Sequence, residues 1–511
     1  MISFTLSFIA LVIGYFVYGR IVERHFSPDF SRPTPAAAHS DGVDFIKLPT
    51  WKVFMIQFLN IAGTGPIFGA IMGAKFGPAA YLWIVLGCIF AGGVHDYLCG
   101  MLSLRHDGAG VPEIVGRYLG RKARGGMLVF SVFLLLMVGV VFVFSPALIL
   151  GQMCGTQPAV WVFAIFAYYI LATMLPIDKV IGRIYPLFAF SLIFMAVALM
   201  AVLYIKMPQL PELWNGLHNM GTAADPGFTE QIFPCLFITI ACGALSGFHA
   251  TQSPLMARCI DSERHGRAVF YGAMITEGLV ALVWATVAMY FFYNAPESGY
   301  ALIDGPGNQG FHTAAPAVVT LVCQDWLGIA GGILAVLGVV AAPITSGDTA
   351  FRSARLIIAD FLHLPQRAIA KRLQVCLPLF AAAIALLLWQ IEDKDGFNII
   401  WRYFGWANQS LAVFVLWAAT VYFVEKGRSC LITLLPALFM TAVCSCYFFV
   451  SQQMLGLPLP IGYALGFCLT AAAQSGRHVR ILHQLHQPAD HPVNIYHPEG
   501  EYLKGLVLQV E

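Results

Sequence analysis

Thirteen stretches of this 511-residue chain are apolar for long enough to cross about 30 Å of hydrocarbon. They fall near 2–22, 52–74, 79–103, 126–149, 159–175, 185–205, 232–256, 268–293, 328–350, 373–390, 401–424, 430–450 and 459–475. A bilayer accepts only structures that pair all their backbone groups internally, which leaves helices and closed barrels. Barrel strands alternate apolar and polar residues. Runs such as 128–136 and 192–203 show no alternation, so the expected fold is an all-α polytopic membrane protein. Composition agrees: 59% of residues are hydrophobic and only 11% charged, against about 25% charged in soluble domains. The first run has no basic residue ahead of it, and its charges, Arg20, Glu23 and Arg24, follow it. It reads as a retained helix rather than a cleaved signal.

Lysine and arginine concentrate on the cytoplasmic side of short loops. With thirteen spans, one set of alternate loops holds all of the 29 Lys and Arg residues except Lys75, Lys206, Lys394 and Arg402. The alternation places Met1 outside and Glu511 in the cytoplasm. Residues 1–476 read as a single transmembrane domain with a core over about 52–424, and 477–511 as a cytoplasmic tail. The stretch 313–327 reads as a separate short helix ahead of the ninth span. The net charge of +2 and the absence of a basic block point to no nucleic-acid partner. The 12 cysteines form no C-x-x-C pair, and His478, His483, His486, His491 and His497 of the tail match no ligand spacing. Neither a metal nor a cofactor is expected. The expected partners are the lipid bilayer and a small-molecule substrate, and the oligomeric state is open.

Two spans carry residues that an inert anchor avoids. The second contains Asn60, Gly63, Thr64, Gly65, Pro66 and Gly69; the seventh contains Gly243, Ser246, Gly247, His249 and Pro254. Glycine tolerates non-helical backbone and proline removes a helix hydrogen bond. The alternative is close helix packing through small residues. The positions argue for breaks. They lie five helices apart and, by the charge alternation, run in opposite directions. That predicts a ten-helix core of two inverted five-helix repeats, with one added N-terminal and two added C-terminal helices. Broken helices in matching positions of two repeats mark a midplane binding site.

These residues carry a family resemblance. Arg32-Pro-Thr-Pro, His39-Ser-Asp-Gly42, Ala62-Gly-Thr-Gly-Pro66 and Gly92-Gly-Val-His95-Asp96 make up its first half, with Ser103-Leu-Arg105-His-Asp-Gly108 and Glu113. Gly243-Ala-Leu-Ser-Gly-Phe-His249, Ser346-Gly-Asp348-Thr with Arg352 and Arg355, and Phe404-Gly-Trp-Ala-Asn408-Gln409 make up the second. Over nearly the whole chain after Arg32, the sequence resembles the carbon starvation protein A family of bacterial inner-membrane transporters. The resemblance implies an inner-membrane location and uptake of peptides or pyruvate, with protons in some members, under nutrient limitation.

Ionisable groups inside spans are costly and often functional. His95 and Asp96 on the third span read as a proton relay or as a polar anchor of the helix end. His249, directly after the second break, reads as a partner for a substrate carboxylate or for a freed carbonyl. Glu277 on the eighth span has no evident partner. Freed N–H groups around Gly63, Thr64, Gly65, Gly243, Ser246 and Gly247 are expected to bind an anionic substrate group, because half-helix N-termini carry partial positive charge. Asn408 and Gln409 are candidates for lining the pathway or for packing. In sodium-coupled transporters of this architecture, hydroxyls of the ninth span meet carbonyls of the first broken helix around the ion. Thr345, Ser346 and Asp348 fit that place, although Asp348 and Arg352 are also spaced to pair with each other.

No Walker motif, H-E-x-x-H or serine–histidine–acid set is present, so an enzyme is not expected. The function expected is secondary active transport of a peptide or pyruvate, coupled to H+ or Na+, with protons favoured. The alternative is a nutrient-binding membrane sensor or channel without coupled transport.

Overall fold

The computed structural model describes residues 1–40, 45–174, 181–217, 231–293, 315–362, 364, 369–392 and 396–485. The described residues form helices joined by short loops. We label them α1 (Ile2–Phe26), α2 (Thr50–Ala62), α3 (Gly65–Gly73), α4 (Ala79–Arg105), α5 (Arg121–Cys154), α6 (Pro158–Met174) and α7 (Ile181–Lys206). After these come α8 (His249–Ala257), α9 (Glu263–Phe292), α10 (Ala315–Phe361), α11 (Ile369–Glu392), α12 (Gly396–Glu425), α13 (Leu431–Val450) and α14 (Leu459–Leu485). Two compact units divide the chain, Met1–Thr470 and Ala471–Glu511. The second is helical as far as Leu485, and the tail expected from 477 lies outside the described residues after that point.

Nine of the described helices are long and apolar enough to cross a bilayer, or ten if the bent pair α2 and α3 counts as one span. The expected thirteen is not reached by that measure, for physical reasons. α6 has only 17 residues. The seventh expected span is not a continuous helix. α14 is polar over its second half. The ninth expected span is present, and the short helix expected before it forms the start of α10, set off by a break at Gly328, where φ is 63°. The outward faces are apolar, the reverse of a soluble protein. Ile2, Leu6, Ile9 and Ile13 of α1 are each about half exposed, as are Leu377 and Leu388 of α11. Lipid tails are the solvent for such a surface.

Both expected breaks are present. Between α2 and α3 the chain bends by 43°. Gly63 there has φ +46° and ψ −130°, a conformation that a side chain strains. The second break runs from Ile240 to Phe248, between a helical turn at Phe237–Thr239 and α8. The breaks touch. A Cβ on Gly65 would lie 2.2 Å from that of Cys242, and one on Gly243 would lie 3.6 Å from the Cα of Pro66. Phe142 of α5 packs under Gly63 and sets its ring against Phe248 at 6.2 Å.

The span that follows each broken one carries a π-turn, Cys88–Gly92 in α4 and Arg267–Tyr271 in α9. A π-turn widens the helix and often accompanies a functional site. The two are stitched together, since the Tyr271 hydroxyl donates to the Ile89 carbonyl at 2.9 Å. α1 crosses both, with Gly14 against Ile89 and Gly19 against Tyr271.

The charge alternation predicts sidedness that can be read chemically. In a background lacking the exposed Cys154 and Cys468, single cysteines at the exposed positions Gln157 and Gln452 should react with an impermeant thiol reagent from outside intact cells. Cysteines at Lys122 and Lys426 should react only after permeabilisation. A reversal at either pair would remove the opposed orientation of the two breaks.

Candidate functional site

Four ionisable side chains meet where α4, α8 and α9 pack, and none has any solvent exposure. Asp96 follows the π-turn of α4. Its Oδ1 lies 2.7 Å from His95 Nδ1, and its Oδ2 lies 2.7 Å from His249 Nδ1. His249 is the first residue of α8, so the second break is what presents it. The other ring nitrogen of His249 lies 3.2 Å from Glu277 Oε2, a close contact that is not aligned as a hydrogen bond. Cys99 lies one turn beyond His95, its Sγ 3.8 Å from His95 Nε2. His249 therefore bridges two carboxylates on two different helices. A protonated imidazole offers an N–H to each, and a neutral one to only one of them. The ring thus lies between Asp96 and Glu277. Removing one member of a buried set like this strands the others and costs about 3–5 kcal/mol.

Unwound backbone in a membrane protein must find partners. At the second break many of them are side chains of other helices. The Asn408 Oδ1 accepts from the Phe248 N–H at 2.7 Å and from the Ser246 hydroxyl at 3.1 Å, and the Asn408 carbonyl accepts from the Gly247 N–H at 3.1 Å. The Trp83 indole N–H donates to the Ile240 carbonyl at 2.9 Å, the Cys88 thiol to that of Gly243 at 3.2 Å, and the Gln409 amide to that of Phe237 at 3.0 Å. The amides of Gly247 and Phe248, expected to receive a substrate anion, are thus already held by Asn408. Glycine is also required here for contact. A Cβ on Gly247 would lie 2.2 Å from the Asn408 carbonyl oxygen, one on Gly92 2.3 Å from that of Ala244.

At the first break the Ser346 hydroxyl donates to the Leu59 carbonyl at 3.3 Å, which joins α10 to the end of α2. Thr345 instead bonds back to Ala341 and Ala342 on its own helix. Asp348 pairs with Arg352 at 3.5 Å, one turn along α10. Thr64 is fully buried and its hydroxyl has no partner among the described residues.

Two further clusters tie these helices to their neighbours. On α3, Phe68 packs against Trp401 at 6.0 Å and Phe397 at 6.1 Å, both on α12. At the far end of α4, Arg105 contacts Glu263 at 3.2 Å and donates to the Tyr422 hydroxyl at 2.9 Å and the Ser27 carbonyl at 2.8 Å. Its guanidinium lies 4.1 Å from the Phe26 ring centroid.

The structure therefore brings together His95, Asp96 and His249, and joins Asn408 to Ser246 and Gly247. Asp348 contacts Arg352 on its own helix. Sequence reasoning missed the partner of Glu277, although an acid inside a span is itself the signal. It missed Trp83 and Cys88 as donors to the break, and no sequence signal announces them.

Comparison with known proteins follows the same lines. The family described as "Carbon starvation protein CstA" matches residues 1–148, 143–325 and 307–446. An uncharacterized membrane protein of Haemophilus influenzae is 46% identical over 58% of this chain and 92% of its own length. The peptide transporter CstA of Campylobacter jejuni is 27% identical over 84% of this chain and 77% of its own, and that of Escherichia coli 24% identical over 83% and 77%. Among solved structures, a manganese transporter of Eremococcus coleocola superposes with a TM-score of 0.56 at 12% identity, covering 88% of this chain and 99% of its own. A Na+-coupled sialic acid symporter superposes with a TM-score of 0.50 at 15% identity, covering 93% and 96%. At such identities the likeness is one of fold.

Two substitutions probe the breaks. Asn408→Leu strands the buried Phe248 N–H and should lower stability by about 1–3 kcal/mol, whereas Ser246→Ala, losing one hydroxyl, should cost about 1 kcal/mol. Thermal unfolding of the purified protein in detergent measures both, and equal effects would deny Asn408 its clamping role. Gly65→Ala should overpack against Cys242 and cost about 1–3 kcal/mol. Adding Cys242→Gly should recover part of that loss. Strictly additive losses would mean that the two breaks do not press on one another.

Proposed function

Because the chain belongs to the carbon starvation protein CstA family, we propose that it is a secondary active transporter. It imports a small organic nutrient, a peptide or pyruvate, across the inner membrane by proton symport under carbon starvation. The observation that carries this reading is His249 set between Asp96 and Glu277 on the half-helix that begins at the second break. Relatives named as peptide transporters support the cargo class.

The coupling follows from elementary electrostatics. Two carboxylates and two imidazoles share a site without water contact, so adding or removing one proton changes its net charge where dielectric screening is weak. α8 is held to α4 and α9 through those contacts. A proton arriving on a carboxylate weakens its hold on His249 and lets α8 move. Substrate and proton then travel together, provided the loaded carrier alternates between the two sides. His249 serves coupling rather than a substrate carboxylate, since both its ring nitrogens already face acids. The chain carries no ATP-binding motif, so an ion gradient supplies the driving force.

A second reading, sodium coupling, is favoured by one contact, the Ser346 hydroxyl on the Leu59 carbonyl at 3.3 Å. Hydroxyl and carbonyl oxygens are ligands suited to a hard cation.

Proteoliposomes holding the purified chain should accumulate labelled di- or tripeptides or pyruvate above equilibrium under an imposed proton gradient. Asp96→Asn should abolish this accumulation and retain exchange between two loaded sides. Equal loss of both would make Asp96 a structural anchor. Accumulation that survives a protonophore, requires sodium and fails in Ser346→Ala would install sodium as the driver. Equilibration without accumulation under either gradient would mark a channel, and specific binding without any flux a sensor.

A further inference from the structure

Tyr271 ends one π-turn, and its hydroxyl serves the other. In the α4 turn the Gly93 N–H reaches five residues back to the Cys88 carbonyl, where an α-helix would use that of Ile89. The Ile89 carbonyl accepts from the Tyr271 hydroxyl of α9 at 2.9 Å. In α9 the Gly272 N–H makes the matching bond to the Arg267 carbonyl. The Tyr271 ring is fully buried and is threaded between two glycines. A Cβ on Gly19 of α1 would lie 3.1 Å from one edge of the ring, and one on Gly93 of α4 would lie 2.6 Å from the other. With a helix backbone at each edge the ring has no room to swing, and its hydroxyl stays on its acceptor.

Each π-turn leads into an acid of the buried network. Asp96 stands three residues past Gly93, and Glu277 six past Tyr271. The α4 turn also seats the second break, since the Cys88 thiol donates to the Gly243 carbonyl at 3.2 Å. Gly278, next to Glu277, packs against the same Cys88 side chain. A π-turn holds one residue more than the α-turn it replaces. Closing it to α with the chain length unchanged would rotate everything beyond it by about 100° relative to everything before it. In α4 that rotation would carry Asp96 away from His249.

We propose that Tyr271 is a positioning residue for ion coupling. Its bond to Ile89 keeps the α4 π-turn open, and the open turn sets Asp96 against His249. This rests on the transport reading above and deepens it, by naming what holds the network in register.

Tyr271→Phe tests the assignment, because it keeps the ring and removes only the hydroxyl. In proteoliposomes under a proton gradient, accumulation of labelled dialanine or labelled pyruvate, whichever the wild type takes up, should fall about tenfold, the scale of one buried carbonyl left unmet. Deleting the exposed Phe90 removes the extra residue of the turn, so the helix becomes regular while Asp96 keeps its face. In the Tyr271→Phe background this deletion should restore most of the lost accumulation, which the repair of a packing defect would not do. A second readout uses the Tm of the detergent-purified full chain. Asp96→Asn and His249→Gln, singly and together, form a double-mutant cycle. In the wild type the two losses of Tm should fall well short of adding, because each breaks the same contact. In Tyr271→Phe they should add. Losses that already add in the wild type, or that depart from additivity equally in Tyr271→Phe, would overturn the positioning role. So would an accumulation defect that persists when Phe90 is deleted from a folded chain. The cycle needs neither flux nor the deletion, so a chain that accumulates no solute under any gradient overturns the transport reading while the Tm values still decide the role of Tyr271.

Discussion

Hydrocarbon offers no hydrogen bonds, and this protein interrupts two of its spanning segments inside it. Every peptide group freed at Gly63 or between Ile240 and Phe248 has to be met by protein. The surrounding architecture answers that demand. Asn408 takes two donors with its side-chain oxygen and one with its carbonyl. Trp83, Cys88 and Gln409 each give a hydrogen to an orphan carbonyl, and Ser346 gives one to Leu59. α4, α10 and α12 are thereby tied to the breaks by directional bonds as well as by packing.

The same clamps explain the distribution of the small residues. Gly65, Gly243 and Gly247 serve close approach, because a methyl group at any of them would enter Cys242, Ala281 or the Asn408 carbonyl. Gly63 serves conformation as well, at φ +46°. Close approach in turn delivers chemistry. With the second break drawn against α4, its first helical residue, His249, arrives within 2.7 Å of Asp96. Glu277 meets the opposite side of the ring from α9. The break is therefore what presents the ring to both carboxylates, since His249 opens a new helix beside α4.

Two kinds of contact coexist in this arrangement. Directional bonds hold the break in register, while the contact that joins α8 to both α4 and α9 is made by titratable side chains. Arg105 locks the far end of α4 to Glu263, Tyr422 and Ser27, and Phe68, Phe397 and Trp401 fill the flank of α3. The two clusters differ in kind, one ionic and one aromatic.

The long apolar runs determined the helical membrane fold on their own, because their length and lack of alternation leave a bilayer no other choice. Glycine and proline inside two of those runs located both breaks, since their backbone preferences are local. His95, Asp96, Asn408 and Ser346 stood out for the same reason that buried polar groups always do: their cost demands a use. Sequence could not decide which of them meet. His249 and Glu277 are 28 positions apart and Asp96 lies on another helix altogether, and only packing sets those distances. The span count followed the same division. A run of apolar residues announces a crossing, but the broken seventh run and the short α6 depend on how neighbouring helices satisfy or shorten them. Gln57 and Ser253 are 196 positions apart, and only the folded chain sets the amide nitrogen of one on the hydroxyl of the other.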